Sequence, residues 1–175
     1  TTPRQAIELA VIRSQIDLYR NVIAATWRSP VTWTEASTSE LIAQTEDLQL
    51  LDREKHEYGE VVCHDPDTAV LMTWYRNNVV HLLAYPSLIA CLVMRRNTAL
   101  DATELKSMLD TVFPYIAEEL SCRTDVAFEE CVNALLEEGL LQQTTEGLLP
   151  PDQGSGQFLQ LSLLANLVMP TLERM

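Results

Sequence analysis

The side chains of this sequence able to act as bases, nucleophiles or metal ligands are three histidines, four cysteines and several adjacent carboxylates. His56 stands beside Glu57 and Glu60, and His64 is flanked by Asp65 and Asp67, so both neighbourhoods invite a metal reading. Neither reproduces a zinc or calcium ligand spacing, and an acidic loop is satisfied by water, so no metal is expected. Cys63, Cys91, Cys122 and Cys131 form no Cys-x-x-Cys pair, and each has apolar neighbours. They read as four buried thiols in a reducing compartment, without a disulfide framework. The pairs Glu118-Glu119, Glu129-Glu130 and Glu137-Glu138 fall on outer faces of amphipathic helices, where solvation accounts for them without acid–base work. A Gly-x-Ser-x-Gly elbow, a phosphate loop and a dinucleotide fingerprint are all missing from a chain with 5 glycines, so no cofactor is expected.

Arg76-Asn77-Asn78 with His81 is the least ordinary polar group. Two adjacent asparagines are poor helix formers inside an apolar run, and each lies three or four residues from His81, on one helical face. One reading is a buried hydrogen-bond network that joins helices, because buried polar groups must be paired. The other makes Arg76, Asn77, Asn78 and His81 a contact with a ligand or substrate, or with a second domain. Val79 to Met94 then follows without a single Asp, Glu, Lys or Arg, and Arg95-Arg96 closes it. A spanning helix needs about 20 apolar residues, so this run reads as a buried core helix. Its functional alternative is an interfacial segment, with Arg76, Arg95 and Arg96 on the anionic head groups of a membrane surface.

The charge balance bears on both. Lys and Arg total 12 against 25 Asp and Glu, a formal net charge of -13. Such a surface repels phosphate backbones and weakens attraction to acidic lipid, so no nucleic-acid partner is expected. The basic side is mostly Arg, whose planar guanidinium suits fixed contacts, with lysine only at Lys55 and Lys106. With 175 residues, 47% hydrophobic and 21% charged, the chain is sized for one well-packed domain, residues 1–175. No basic-then-apolar leader opens it, and a start at Thr-Thr-Pro suggests a processed or excised piece.

The elements that must position these residues are helical. Thr2-Pro3-Arg4-Gln5 reads as a helix start, and Leu9, Ile12, Ile16, Tyr19, Ile23 and Trp27 form one stripe ending near Arg28, before Pro30. Ser37-x-x-Glu40 is a capping box for a helix with Leu41, Leu48 and Leu51 inward and Glu46, Asp47, Asp52 and Glu54 outward. Tyr58 to Cys63 is the best short strand. The apolar stretch from Thr68 to Met94 predicts a central helix, kinked at Pro86. Asp101-x-x-Glu104 opens a helix with Leu105, Leu109, Val112, Ile116 and Leu120, broken near Pro114. Asp125 caps another, with Phe128, Val132, Leu135 and Leu136 inward and Gly139 closing it. Leu140 to Leu149 reads as a hairpin, giving a winged-helix-like end, and Phe158 to Arg174 as the last helix. The class is mainly α: a helical bundle around a central apolar helix, with at most a small β-hairpin at 140–149.

The run Ala69-Val70-Leu71-Met72-Thr73-Trp74-Tyr75-Arg76-Asn77-Asn78-Val79-Val80-His81, continuing through Ala84-Tyr85-Pro86-Ser87-Leu88, resembles the C-terminal region of bacterial glycerol-3-phosphate 1-O-acyltransferases of the PlsB type. The opening Thr2-Pro3-Arg4-Gln5-Ala6 is similar to the stretch that follows the acyltransferase core in that family, so the likeness spans nearly the whole chain. It implies a membrane-associated enzyme of phospholipid synthesis, at the cytoplasmic face of the bacterial inner membrane. Such an enzyme moves a fatty acyl group from acyl carrier protein or coenzyme A to the first hydroxyl of glycerol 3-phosphate. The family assigns catalysis to His-x-x-x-x-Asp, the histidine as base on the hydroxyl. Here the fifth residue after His56 is Val61, after His64 Ala69 and after His81 Pro86, and Phe-Pro-Glu-Gly-Thr-Arg is missing. The resemblance therefore carries over no catalytic residue. It implies a domain, inactive alone, that buttresses an upstream catalytic domain of the same polypeptide. The alternative is a self-contained helical interaction module whose winged-helix-like end binds a protein.

Overall fold

The computed structural model describes residues 6–27, 31–57, 59–96 and 98–175. They form two compact units, residues 6–20 with 31–57 and 59–78, and residues 21–27 with 79–96 and 98–175.

The first unit combines a three-stranded antiparallel sheet with helices. Its elements are β1 (Ala6–Glu8), the first part of α1 (Leu9–Thr26), α2 (Thr38–Asp47), β2 (Asp52–His56), β3 (Gly59–Cys63) and α3 (Pro66–Val79). Strand order is β1-β3-β2, with Val62 opposite Ile7 on one side and Arg53 on the other. Leu9, Ile42 and Val62 form the small core, joined by Ile12, Ile16 and Leu51. The box at the start of α2 is present: the Ser37 hydroxyl accepts from the Glu40 N–H, and the Glu40 carboxylate accepts from the Ser37 N–H at 2.7 Å. Arg53 closes the surface with two bonds to the Glu46 carboxylate, at 2.6 and 2.8 Å.

Several expectations change here. The helix start at Thr2–Gln5 lies outside the described residues, and Ala6–Glu8 is strand, because pairing with β3 completes the sheet. In α2 the anchor is Ile42, while Leu48, just past the helix end, is 69% exposed. Asp52 and Glu54 belong to β2, not to a continuing helix. The strand expected at Tyr58–Cys63 is β3, flanked by two partners, so a sheet is added to the expected hairpin.

The second unit is the helical bundle. A 3-10 turn at Val80–Leu82 leads into α4 (Ala84–Met94), followed by α5 (Ala102–Leu120), α6 (Phe128–Glu137), β4 (Gln142–Thr144), β5 (Gly147–Leu149), α7 (Gly156–Ala165) and α8 (Met169–Leu172). The central apolar helix is α4, nine of whose residues are buried against α5, α6, α7 and β5. The expected kink at Pro86 is displaced. The chain breaks at residues 80–83, and Pro86 sits in the first turn of α4, where its missing N–H leaves no bond unmade. Pro114 likewise lies within α5, which runs on to Leu120.

Leu100 exchanges both backbone hydrogen bonds with Leu148, each at 2.9 Å, so β5 lies between Leu100 and β4. Helix, single-residue bridge, two helices and hairpin follow in the order of a winged helix, so the winged-helix-like end extends back from the hairpin to α4. Gly139 closes α6 with a left-handed φ of 69°. The cap of α6 is Ala127 rather than Asp125, whose carboxylate is taken by Arg123. The last helix is two, α7 capped by Ser155 and a short α8 with Pro170 near its start.

Asp101 caps α5 as expected, accepting N–H bonds from Thr103 at 2.8 Å and Glu104 at 3.2 Å. These bonds hold its carboxyl below the ordinary value of 3.8. Because the folded-state value is the lower one, its contribution is complete above pH 3.8 and is lost as pH falls through the folded value. Asp101→Asn keeps an acceptor that does not titrate. Urea midpoints measured against pH are expected to fall less steeply below the ordinary carboxylate range in this variant than in the parent.

Candidate functional site

Pro66 and Asp67 open α3 as a fixed φ and a first-turn carboxylate should, and the helix carries Arg76 and Asn77-Asn78 in its last turns. Contrary to the expectation of a central buried helix over Thr68–Met94, α3 has no buried residue. Thr68, Ala69, Met72 and Arg76 are half-buried along one side. Asn77 and Asn78 are exposed, so a buried network is not formed by them. Arg76 donates from Nη2 to the Asn77 side-chain oxygen at 3.2 Å, while its Nε, shielded from water, has no hydrogen-bond partner among the described residues. Val70, Leu71, Trp74 and Tyr75 are exposed at 75%, 40%, 60% and 46%. Trp74 and Tyr75 touch edge to face, centroids 5.4 Å apart.

His81 is not on this helix. It lies in the 3-10 turn of the second unit, its ring edge-on to Trp27 at 6.0 Å. The Arg123 guanidinium covers the same indole at 5.7 Å and is itself held by the Asp125 carboxylate, Nε to Oδ1 2.8 Å. The sequence places Trp27 only in a helix stripe. Its meeting with His81 and Arg123 is a tertiary event that no local pattern announces.

Arg95 and Arg96 are exposed beyond the end of α4. Arg96 pairs with Glu104 at 2.5 Å in the first turn of α5, and the Arg95 guanidinium reaches the Met169 sulfur at 4.0 Å. No single helix among the described residues is long and apolar enough to cross a membrane.

A groove of about 350 Å³ opens between α5, α6 and the loop joining them, with Tyr85 at its floor. Tyr85 stands edge-on to Phe113 at 4.7 Å, and Lys106 binds Asp110 at the rim at 2.7 Å. Burial, with the negative groups around it, pushes the Tyr85 hydroxyl up to about 12, so at neutral pH it can donate a proton bond but not act as a base. No histidine lines the groove. The thiols are similarly quiet. Burial raises Cys91, takes Cys122 to about 11 and Cys131 to about 12, leaving them protonated and poor nucleophiles. Cys63, Cys91 and Cys131 are buried, whereas Cys122 is only half-buried. Among the described residues no three His, Cys, Asp or Glu side chains meet as metal ligands would.

The described residues present exposed surfaces, one groove and a packed core. The whole chain, residues 1–175, matches the family described as Glycerol-3-phosphate acyltransferase C-terminal region. The chain belongs to this family. Among its relatives, the glycerol-3-phosphate acyltransferase of Pseudomonas paraeruginosa strain PA7 is 32% identical over 180 residues, covering 99% of this chain and 22% of the relative. Those of Pseudomonas putida strain KT2440 and Pseudomonas syringae pv. tomato strain DC3000 are 31% and 29% identical with the same coverage. The chain thus spans 22% of the length of these relatives. No solved structure matches it.

Proposed function

We propose that this glycerol-3-phosphate acyltransferase C-terminal region supports the catalytic domain of a longer polypeptide, whose activity is acyl transfer from acyl carrier protein or coenzyme A to the first hydroxyl of glycerol 3-phosphate. The observation that carries the proposal is the coincidence of the whole chain with 22% of its acyltransferase relatives, in a sequence where no histidine has Asp at the fifth following position. The base must then come from elsewhere in the polypeptide. Seating at the inner leaflet of the bacterial inner membrane belongs to the same proposal, with Arg95 and Arg96 as exposed head-group contacts.

A second reading, a self-contained protein-interaction module, is favoured by the winged-helix-like connectivity from α4 to β5. The exposed face of α6 carries Glu129, Asn133 and Glu137, so its partner is a protein and not a phosphate backbone. Sequencing the native coding region upstream of Thr1 separates the two. The expected result is an open frame encoding His-x-x-x-x-Asp followed by Phe-Pro-Glu-Gly-Thr-Arg. An initiator Met directly before Thr1, or acyl transfer by the 175-residue chain alone, overturns the first reading.

A further inference from the structure

We propose that the exposed apolar face of α3 is the surface through which this domain docks onto the rest of its own polypeptide. The inference rests on the support role proposed above and names its contact. Val70, Leu71, Trp74 and Tyr75 occupy positions i, i+1, i+4 and i+5, which place them on one face of the helix. Singly exposed apolar residues are ordinary, but four contiguous ones with two aromatics mark an interaction surface.

The helix itself requires a partner. An isolated helix below about 12–15 residues is marginal in water even with good formers, because nucleation is costly. α3 has 14 residues, several of them weak formers, namely Thr68, Val70, Thr73, Asn77, Asn78 and Val79, and none is buried to offset this. Its stability must be completed by a surface that covers the opposite side from Met72.

The occupant follows from charge and from chain length. A helix lying in a lipid interface carries Lys and Arg on its polar face. Here the exposed polar residues are Asp67, Thr73, Asn77 and Asn78, and Arg76, the one basic residue of α3, is half-buried and bonded to Asn77. Asp67 stands one turn before Val70 and Leu71 on the same face, so the patch carries a carboxylate and no cation, and its Trp and Tyr match the apolar, aromatic core of a protein contact. In the relatives, the remaining length beyond the 22% matched by this chain belongs to the same polypeptide. That segment is held at high effective concentration by covalent linkage, so a modest patch suffices to seat it.

The test uses the full-length enzyme, with a photo-cross-linking amino acid in place of Trp74 and, as control, of Tyr115, which is 65% exposed on α5. Light and isotopically heavy protein are mixed before irradiation, in detergent and in vesicles of anionic phospholipid. The expected result is a link from position 74 to a peptide outside this region of the same molecule, under both conditions, and none from position 115. Light–heavy links, showing a second copy, links to lipid, or quenching by water alone each overturn the proposal. In parallel, Trp74→Glu is expected to lower acyl transfer at least tenfold and Tyr115→Glu less than twofold. Deleting the whole C-terminal region reports on the support role separately. Unchanged activity after deletion defeats that role, whereas lost activity with no link at position 74 defeats only the docking face.

Discussion

Replacing Gly147 by alanine is expected to destabilise the second unit by about 3–5 kcal/mol, combining backbone strain with the loss of bridge hydrogen bonds. Gly147 opens β5 with φ at 136°, a conformation that a Cβ strongly disfavours. An added Cβ would also strike the Leu100 carbonyl, lying 2.6 Å from its carbon and 2.9 Å from the Asp101 nitrogen. Both obstacles are backbone, so no rotamer change relieves them. The atoms struck are those of the bridge, where Leu100 and Leu148 exchange two 2.9 Å bonds and both side chains are buried. Asp101 is also the cap of α5, so a shift there propagates into the helix start. Urea unfolding followed by circular dichroism gives the value. A midpoint within error of the parent would show that the wing moves aside at no cost, against the packing described. Gly154 has a positive φ of 88° with open space around it, so Gly154→Ala tests strain alone and is expected to cost about 1 kcal/mol.

Much of this architecture is legible in the sequence wherever one local signal decides the outcome. Ser37-x-x-Glu40 and Asp101-x-x-Glu104 set helix starts because their side chains satisfy N–H groups a few residues away, within reach of any sequence pattern. Gly139 ends α6 and Gly147 follows the hairpin turn for another local reason, since each takes a positive φ, 69° and 136°, that glycine tolerates. What fails is what depends on distant partners. Asp52–His56 has no strand-like alternation and every residue is exposed, so only its pairing with β3 makes it a strand. Ala6–Glu8 is drawn out of an otherwise continuous helical stripe by the other edge of β3.

The candidate site follows the same division. Composition alone separates Thr68–Met94 from the rest of the chain, but apolarity does not say whether a helix is covered by its own domain or by another. For α4 the cover is α5, α6 and α7, and the expectation of a central helix stands. For α3 the described residues cover only the side of Thr68, Ala69, Met72 and Arg76, and the apolar face of Val70, Leu71, Trp74 and Tyr75, which reads as core, is presented to solvent. Arg76, Asn77 and Asn78 are then the polar end of an exposed helix, and His81 belongs to a different cluster with Trp27. The family resemblance carried by this run is therefore carried in good part by an outer surface.

Ser87→Ala should be the most costly removal of a single hydroxyl among the described residues, about 2–3 kcal/mol, because it strands a buried donor. Ser87 is fully buried near the start of α4, where a serine hydroxyl would ordinarily fold back on its own helix. Instead it donates to the Leu164 carbonyl at 2.7 Å and accepts from the Val168 N–H at 3.1 Å, with the Ala165 carbonyl at 3.4 Å. These groups lie where α7 ends, and a helix end leaves its last carbonyls without helical partners. One side chain thereby caps α7 from across the bundle. In the alanine variant the Leu164 carbonyl keeps its bond from the Leu167 N–H at 3.1 Å, but the Val168 N–H, on a residue with no exposed surface, loses its acceptor. Ser87→Cys keeps a weaker acceptor of similar size and is expected to fall between the two. Urea midpoints with unchanged slopes would confirm the order serine, cysteine, alanine. An alanine variant within about 0.5 kcal/mol of the parent would mean that water reaches Val168, and that the α4–α7 contact is looser than its burial indicates.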